Sequence, residues 1–179
     1  MPSLTQCQWG INPLYERAIP FNVGHVVLFV PNLAEAETFY TEVLGFHVSD
    51  RYPQYGTFLR CNPKGGHHNL FLLKSPSGQP KLNHVAYTVR DIHEVFGGGL
   101  HISRQGWKTQ LGPGRHPISS AYFWYVYSPC GGLAEYYADE DFLTENWNPR
   151  SFERKPELFA EWAVSGGLDG HSRRQHKDK

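Results

Sequence analysis

Val23-Gly24-His25-Val26-Val27-Leu28-Phe29-Val30 is short, β-branched and apolar apart from one histidine, the composition of a strand buried on both faces. Leu82-Asn83-His84-Val85-Ala86-Tyr87-Thr88-Val89 resembles it 59 residues later, with a histidine at the same place. The segments after the two strands are also alike. After the first, Pro31-Asn32 ends the strand, and Leu33, Ala36, Phe39, Tyr40, Val43 and Leu44 fall at helical spacing between an Asn32 N-cap and a Gly45 stop. Strands are then predicted at Phe46 to Arg51, Gly56 to Cys61 and Asn69 to Lys74, punctuated by Pro53, by 62–66 and by Ser75-Pro76-Ser77-Gly78. After the second, Asp91 caps a helix expected from Ile92 to Phe96 and broken by Gly97-Gly98-Gly99. Strands near Trp107 to Leu111, Ala121 to Ser128 and Leu133 to Ala138 complete it. Each half therefore reads βαβββ, an α+β chain of two modules at about 23–75 and 82–140.

Working outward, these modules make one domain over 23–148, as suits a chain of 179 residues. Residues 1–22, with Pro2, Pro13 and Pro20, read as an irregular N-terminal arm, and 149–164, with Phe152, Phe159 and Trp162, as an extension packed on the domain. Residues 165–179 lack apolar anchors and are expected to be a disordered tail. Lys plus Arg is 17 and Asp plus Glu is 17, so no general field favours nucleic acid or an anionic membrane as partner. No apolar run approaches the roughly 20 residues that span a bilayer, and Met1 to Asn12 lacks the basic and apolar parts of a signal peptide. Three cysteines without a CxxC pairing suit a reducing compartment, so a cytoplasmic location is expected.

Strand alternation decides which side chains meet. His25 shares a face with Val23 and Val27, His84 with Ala86 and Thr88, and Glu135 with Leu133 and Tyr137. A single histidine in such a strand is more often a hydrogen-bonded core residue than a ligand. Two at equivalent points of repeated strands, with a carboxylate in the last strand, are better explained by one shared metal site that offsets the cost of burying them. Two imidazoles and a carboxylate leave three positions open on an octahedral ion, the arrangement of non-haem Fe(II) oxygenases.

At this point residues 23–140 resemble the vicinal oxygen chelate superfamily (glyoxalase, bleomycin resistance, dioxygenase), and within it the one-domain type I extradiol catechol dioxygenases. The most specific stretch runs from Gly114-Arg115-His116 through Tyr125 and Ser128-Pro129-Cys130-Gly131 to Glu135, similar to that family's Gly-x-His, Tyr, Pro-x-Gly and metal-binding Glu. Trp124 and Ser128 depart from the usual residues beside the Tyr and the Pro. The resemblance implies a curved mixed sheet around a central metal, with His25, His84 and Glu135 as ligands to Fe(II), or to Mn(II). It implies His68 as the acid-base residue, chosen over His67 by its register before His84. His116 and Tyr125 then flank a catechol-type substrate and O2, with Phe123 and Tyr127 (and Tyr122 and Trp124 beside them) as apolar walls. It also implies a homo-oligomer, a second subunit covering surface that two-domain members cover with an extra domain.

Two other classes stay in view. A lyase or thiol transferase of the same superfamily, glyoxalase-like or fosfomycin-resistance-like, would use a comparable triad with further carboxylate or Gln ligands or a basic cluster. A non-catalytic small-molecule-binding protein would need no triad. His68, His116 and Tyr125 beside the triad favour the dioxygenase, though fold alone does not fix function. The Asp139-Glu140-Asp141 run reads as a solvated face or a helix start rather than a second metal site.

Overall fold

The computed structural model of the chain describes residues 17–168. The first module is β1 (Asn22–Val30), α1 (Leu33–Thr38), β2 (His47–Tyr52), β3 (Gly56–Arg60), a short β4 (Gly65–Gly66) and β5 (Leu70–Lys74). The second is β6 (Lys81–Thr88), α2 (Ile92–Arg104), β7 (Thr109–Arg115), β8 (Tyr122–Tyr127) and β9 (Leu133–Ala138). Short elements come after it: β10 (Phe142–Leu143), β11 (Arg150–Ser151), α3 (Pro156–Phe159) and β12 (Trp162–Ser165). The α+β class and the doubled module are as the sequence predicts.

Ten strands form one mixed sheet in the order β11-β2-β3-β5-β1-β6-β9-β8-β7-β12. β1 and β6 pair antiparallel at its centre, and each carries a parallel partner outward, β5 and β9 respectively. The central register is reciprocal: His25 lies opposite Ala86 and His84 opposite Val27. That approximate two-fold brings both imidazoles to one face at the middle of the sheet. On the outer strands it relates Phe71, opposite Val27, to Glu135, opposite Ala86.

The helices cover the other face. Leu59, Leu70 and Leu72 pack with Leu33, Ala36 and Tyr40 on the first half, and Val95, Trp124 and Val126 form the matching cluster on the second. Asn32 and Asp91 cap their helices as expected, each accepting from a backbone N–H three residues on. Two helical expectations are corrected. The first helix does not stay α to Leu44 but widens into a π turn over Phe39–Val43, its last N–H reaching back from Leu44 to the Phe39 carbonyl. The second does not break at its glycines but runs through them to Arg104. A Cβ on Gly98 would meet the Ala18 Cβ at 2.6 Å and one on Gly99 would enter the Trp124 indole, so the glycines let α2 sit directly on the sheet. Packing there outweighs a helix-propensity cost of about 1 kcal/mol per glycine.

Residues 150–165 form a strap joining the two sheet edges. β11 adds parallel to β2 and β12 antiparallel to β7, so the chain between them crosses the face that carries the histidines. Ser165, expected in a tail, ends β12, while Gly167 is buried and Leu168 packs against the α2 core. Residues 169–179, and the N-terminal arm up to 16, lie outside the described residues. No helix among the described residues is long and apolar enough to cross a membrane.

Candidate metal centre and its cavity

His25 projects from β1, His84 from β6 and Glu135 from β9, each buried in the middle of its strand. Their donor atoms form a near-equilateral triangle. His25 Nε2 lies 3.3 Å from His84 Nε2, and each is 3.1 Å from Glu135 Oε2. Ligands at right angles around an ion at roughly 2.1 Å stand about 3 Å apart, so the triangle has the size of one face of an octahedron.

The polar accounting points the same way. Asn83 Oδ1 accepts from His84 Nδ1 at 2.7 Å, which leaves the neutral imidazole a bare Nε2 lone pair aimed at a carboxylate oxygen. Both Glu135 oxygens and His25 Nδ1 are buried without a hydrogen-bond partner among the described residues. Lone pairs converging in a dry site cost several kcal/mol unless a cation sits between them. Burial alone would raise the Glu135 carboxyl; the surrounding imidazoles, His25 first and then His116 and His84, hold it well below the usual carboxylate range. Burial lowers His25 despite Glu135, so both groups are in the forms a metal requires.

Around the triad lies a cavity of about 220 Å³. His68 enters it from the turn before β5, its ring 4.1 Å from that of His25 between centroids, and burial, followed by the neighbouring His25 and His67 imidazoles, lowers its pKa well below the ordinary value. His67 points away, buried against Asp50, so the structure brings His68 and not its neighbour to the site. His116, at the end of β7, donates from Nδ1 to the Phe159 carbonyl of the strap at 2.6 Å. A carbonyl only accepts, so the neutral ring presents bare Nε2 to the Tyr125 hydroxyl, 3.1 Å away. Burial, and then Glu135, raise the Tyr125 phenol well above its usual value and keep it protonated.

The aromatic walls are not those expected. Phe123 is fully buried behind His116, stacked on its ring at 4.1 Å, and Tyr127 at the strand end is 47% exposed beside Lys108. Neither lines the cavity. Tyr122 and Trp124 fall on the opposite parity of β8 and pack toward Trp162 and α2 instead. The walls are Tyr52, Phe58 and Phe71 of the first module, with Ile118 and the strap's Phe159. Phe58 and Phe71 face each other in register across β3 and β5, stacked at 3.8 Å, a pairing visible in sequence only once both strands are placed.

Glu140, expected on a solvated face, also lines the cavity. The β10–β4 pairing folds its loop over the histidine turn, and its carboxylate accepts from the His67 backbone N–H at 3.0 Å and the Tyr137 hydroxyl at 3.1 Å. Burial pushes its pKa up to about 7, and Glu135 adds to that. Cys61 and Cys130 are exposed, unpaired and outside the site.

Known proteins share this arrangement of strands. The chain is 34% identical over 146 residues to metapyrocatechase 2 of Cupriavidus necator, covering 80% of this chain and 45% of that one. It is 29% identical over 142 residues to biphenyl-2,3-diol 1,2-dioxygenase of Paraburkholderia xenovorans, covering 74% and 43%. Among solved structures, the Mn(II)-bound glyoxalase from Novosphingobium aromaticivorans superposes with a TM-score of 0.77 at 29% identity, over 89% of this chain and 52% of that one. A halotolerant catechol dioxygenase gives 0.71 at 27%, over 83% and 49%. The chain thus spans about half the length of the relatives it matches. Residues 22–136, both modules with their three converging side chains, match the Glyoxalase/Bleomycin resistance protein/Dioxygenase superfamily, to which this chain belongs.

Proposed function

We propose that the chain is an extradiol ring-cleaving dioxygenase, inserting both atoms of O2 beside the diol of a catechol that carries an apolar substituent. The observation that carries this reading is the donor triangle of His25, His84 and Glu135 opening onto an aromatic-walled cavity that also holds His68, His116 and Tyr125. These three donors would hold Fe(II), with Mn(II) as the other candidate. When bound, that ion supplies Lewis acidity toward the diol and a redox centre for O2.

The chain's own residues divide the remaining work. Neutral His68 can accept a hydroxyl proton from the entering diol and return it as the O–O bond breaks, acid-base work suited to an uncharged imidazole. The protonated Tyr125 phenol donates to a substrate oxygen, and His116, its Nδ1–H held by the Phe159 carbonyl, accepts through Nε2 from a substrate hydroxyl. Tyr52, Phe58, Phe71, Ile118 and Phe159 sandwich the ring and its substituent and exclude water. No Lys or Arg lines the cavity among the described residues, and Glu140 stands on its wall, so a carboxylated side chain finds repulsion and no counter-ion.

The test is oxygen uptake by anaerobically purified protein loaded with Fe(II), using alkyl- and aryl-catechols beside a carboxylated one and following the visible absorbance of ring-opened product. Uptake with the apolar catechols at least about tenfold above the carboxylated one, a difference of about 1.4 kcal/mol, supports the reading. Tightly bound metal without uptake would move it to a lyase or thiol transferase, and no metal to a binding protein. A homo-oligomer remains the proposed assembly, tested by sedimentation at micromolar concentration.

A further inference from the structure

Asp50 and His67 are wholly buried, touch no ligand of the candidate metal and line no part of the cavity, yet they form a continuous polar chain ending at His68. Asp50 lies on β2 and is met from the strap by Arg150 through its backbone N–H at 2.8 Å, its Nε at 3.2 Å and its guanidinium NH2 at 2.7 Å. His67 Nε2 lies 2.9 Å from Asp50 Oδ2, and His67 Nδ1 lies 3.1 Å from His68 Nδ1. The Arg150 guanidinium is itself fixed over the Trp147 and Phe152 rings, 4.6 and 5.0 Å from their centroids.

The direction of each hydrogen bond follows from what each atom can do. An ionised carboxylate only accepts, so His67 Nε2 carries the proton and donates to Asp50. Arg150 already balances the single charge of Asp50, and a cationic His67 would be a second positive charge buried without a counter-ion. His67 is therefore neutral, its Nδ1 is bare, and that atom can only accept. The sole donor left for the 3.1 Å contact is His68 Nδ1–H. His68 Nε2 then carries no proton and makes no hydrogen bond among the described residues.

We propose that Asp50 and His67 are positioning residues that lock His68 in the Nδ1–H tautomer and so present its Nε2 as a proton acceptor. The role as an acceptor rests on the dioxygenase reading; the tautomer does not. Arg150 extends the chain of dependence to the strap, so the segment bridging the sheet edges also sets the protonation pattern of a cavity histidine. Hydrogen-bond partners set behind a histidine, fixing its ring orientation in this way, are a general device for placing a proton where chemistry needs it.

Tautomers are read directly from two-bond 1H–15N correlation spectra of full-length, 15N-histidine-labelled, Zn(II)-loaded protein, with His68 assigned by loss of its signals in His68→Gln. The expected pattern is Nε2–H for His67 and Nδ1–H for His68. Asp50→Asn should invert both. Arg150's N–H and Nε together hold the amide oxygen while its partly exposed guanidinium NH2 gives up the second site, which turns the amide NH2 toward His67 Nε2, so His67 Nδ1–H donates and His68 is left with Nε2–H. If that variant does not fold, His67→Phe removes the acceptor, and His68 should leave the Nδ1–H form while circular dichroism and metal content stay as in the parent.

In the Fe(II)-loaded protein Asp50→Asn should lower kcat by about 10²-fold or more with KM within threefold, the size of an acid-base contribution. His68 as Nε2–H in the parent, or an Nδ1–H form that survives both variants, overturns the proposal whether or not the protein cleaves catechols. The expected tautomers in a protein without oxygen uptake uphold the positioning role and count against the dioxygenase reading alone.

Discussion

Adding Fe(II) to metal-free protein should raise its melting temperature by an amount that the triad sets. At a free metal concentration 100 times Kd, native-state binding contributes about 2.7 kcal/mol. For a chain of this length each kcal/mol moves Tm by about 2–4 °C, so the rise should be about 5–11 °C. Glu135→Gln keeps the side-chain shape but removes the one negative charge of the donor triangle. A unit charge lost from within about 4 Å is worth roughly 4 kcal/mol at an effective dielectric of 20, more than a 100-fold loss of affinity. At the same metal concentration at most RT ln 2, about 0.4 kcal/mol, would remain, or 1–2 °C. The metal-free variant should melt within a few degrees of the parent, since neither Glu135 oxygen has a hydrogen-bond partner to lose. Differential scanning fluorimetry under argon, with Mn(II) and a chelator in parallel, measures all of these. An equal rise in both proteins would place the metal elsewhere, and no rise in the parent would refute the assignment of His25, His84 and Glu135 as a metal centre.

Three further outcomes are expected. Phe159→Ala removes a cavity wall but keeps the backbone carbonyl that steers His116, so steady-state kinetics should show KM rising about 5- to 30-fold, for 1–2 kcal/mol of lost apolar contact, with kcat within about threefold. Gly99→Ala gains about 1 kcal/mol of helix propensity but drives a methyl into the buried Trp124 ring, an overpacking cost of about 3 kcal/mol; thermal melts should fall by about 4–8 °C, and an unchanged Tm would mean α2 can lift from the sheet. Glu140, raised to about 7, folds preferentially in its protonated form, so its contribution is complete below the ordinary carboxylate value of 4.5 and is lost as pH rises through about 7. Denaturant titrations of metal-free protein should show on the order of 3 kcal/mol lost between pH 4.5 and 8, and Glu140→Gln should flatten that slope.

The doubled βαβββ module was legible because a histidine recurs at one point of two similar strands, and the same recurrence with strand parity located His25, His84 and Glu135. His68 was separable from His67 only through the resemblance, since two adjacent histidines in a turn carry no periodicity. Local propensity misled at Gly97-Gly98-Gly99, where the deciding contact is with Trp124 on a strand 25 residues away. Parity alone could have shown that Tyr122 and Trp124 leave the face of Tyr125. It could not show that the walls come from Phe58, Phe71 and the strap, because those approaches depend on sheet curvature and on how residues 150–165 return. Glu140 and Asp50 were hidden for the same reason: each owes its burial to a partner supplied by a distant segment.

The approximate two-fold that relates the modules stops at the side chains. Glu135 has Phe71 as its counterpart, so the duplicated scaffold carries one anion where strict symmetry would give two. With two neutral imidazoles and one carboxylate, a bound divalent ion would keep one unit of positive charge, an attraction for the singly ionised form of the proposed diol. A second carboxylate at position 71 would cancel that surplus and replace the stacked Phe58–Phe71 wall with repulsion. The fold thus doubles its backbone but not its ionic complement, and with a divalent ion bound the odd charge left over would favour an oxyanion.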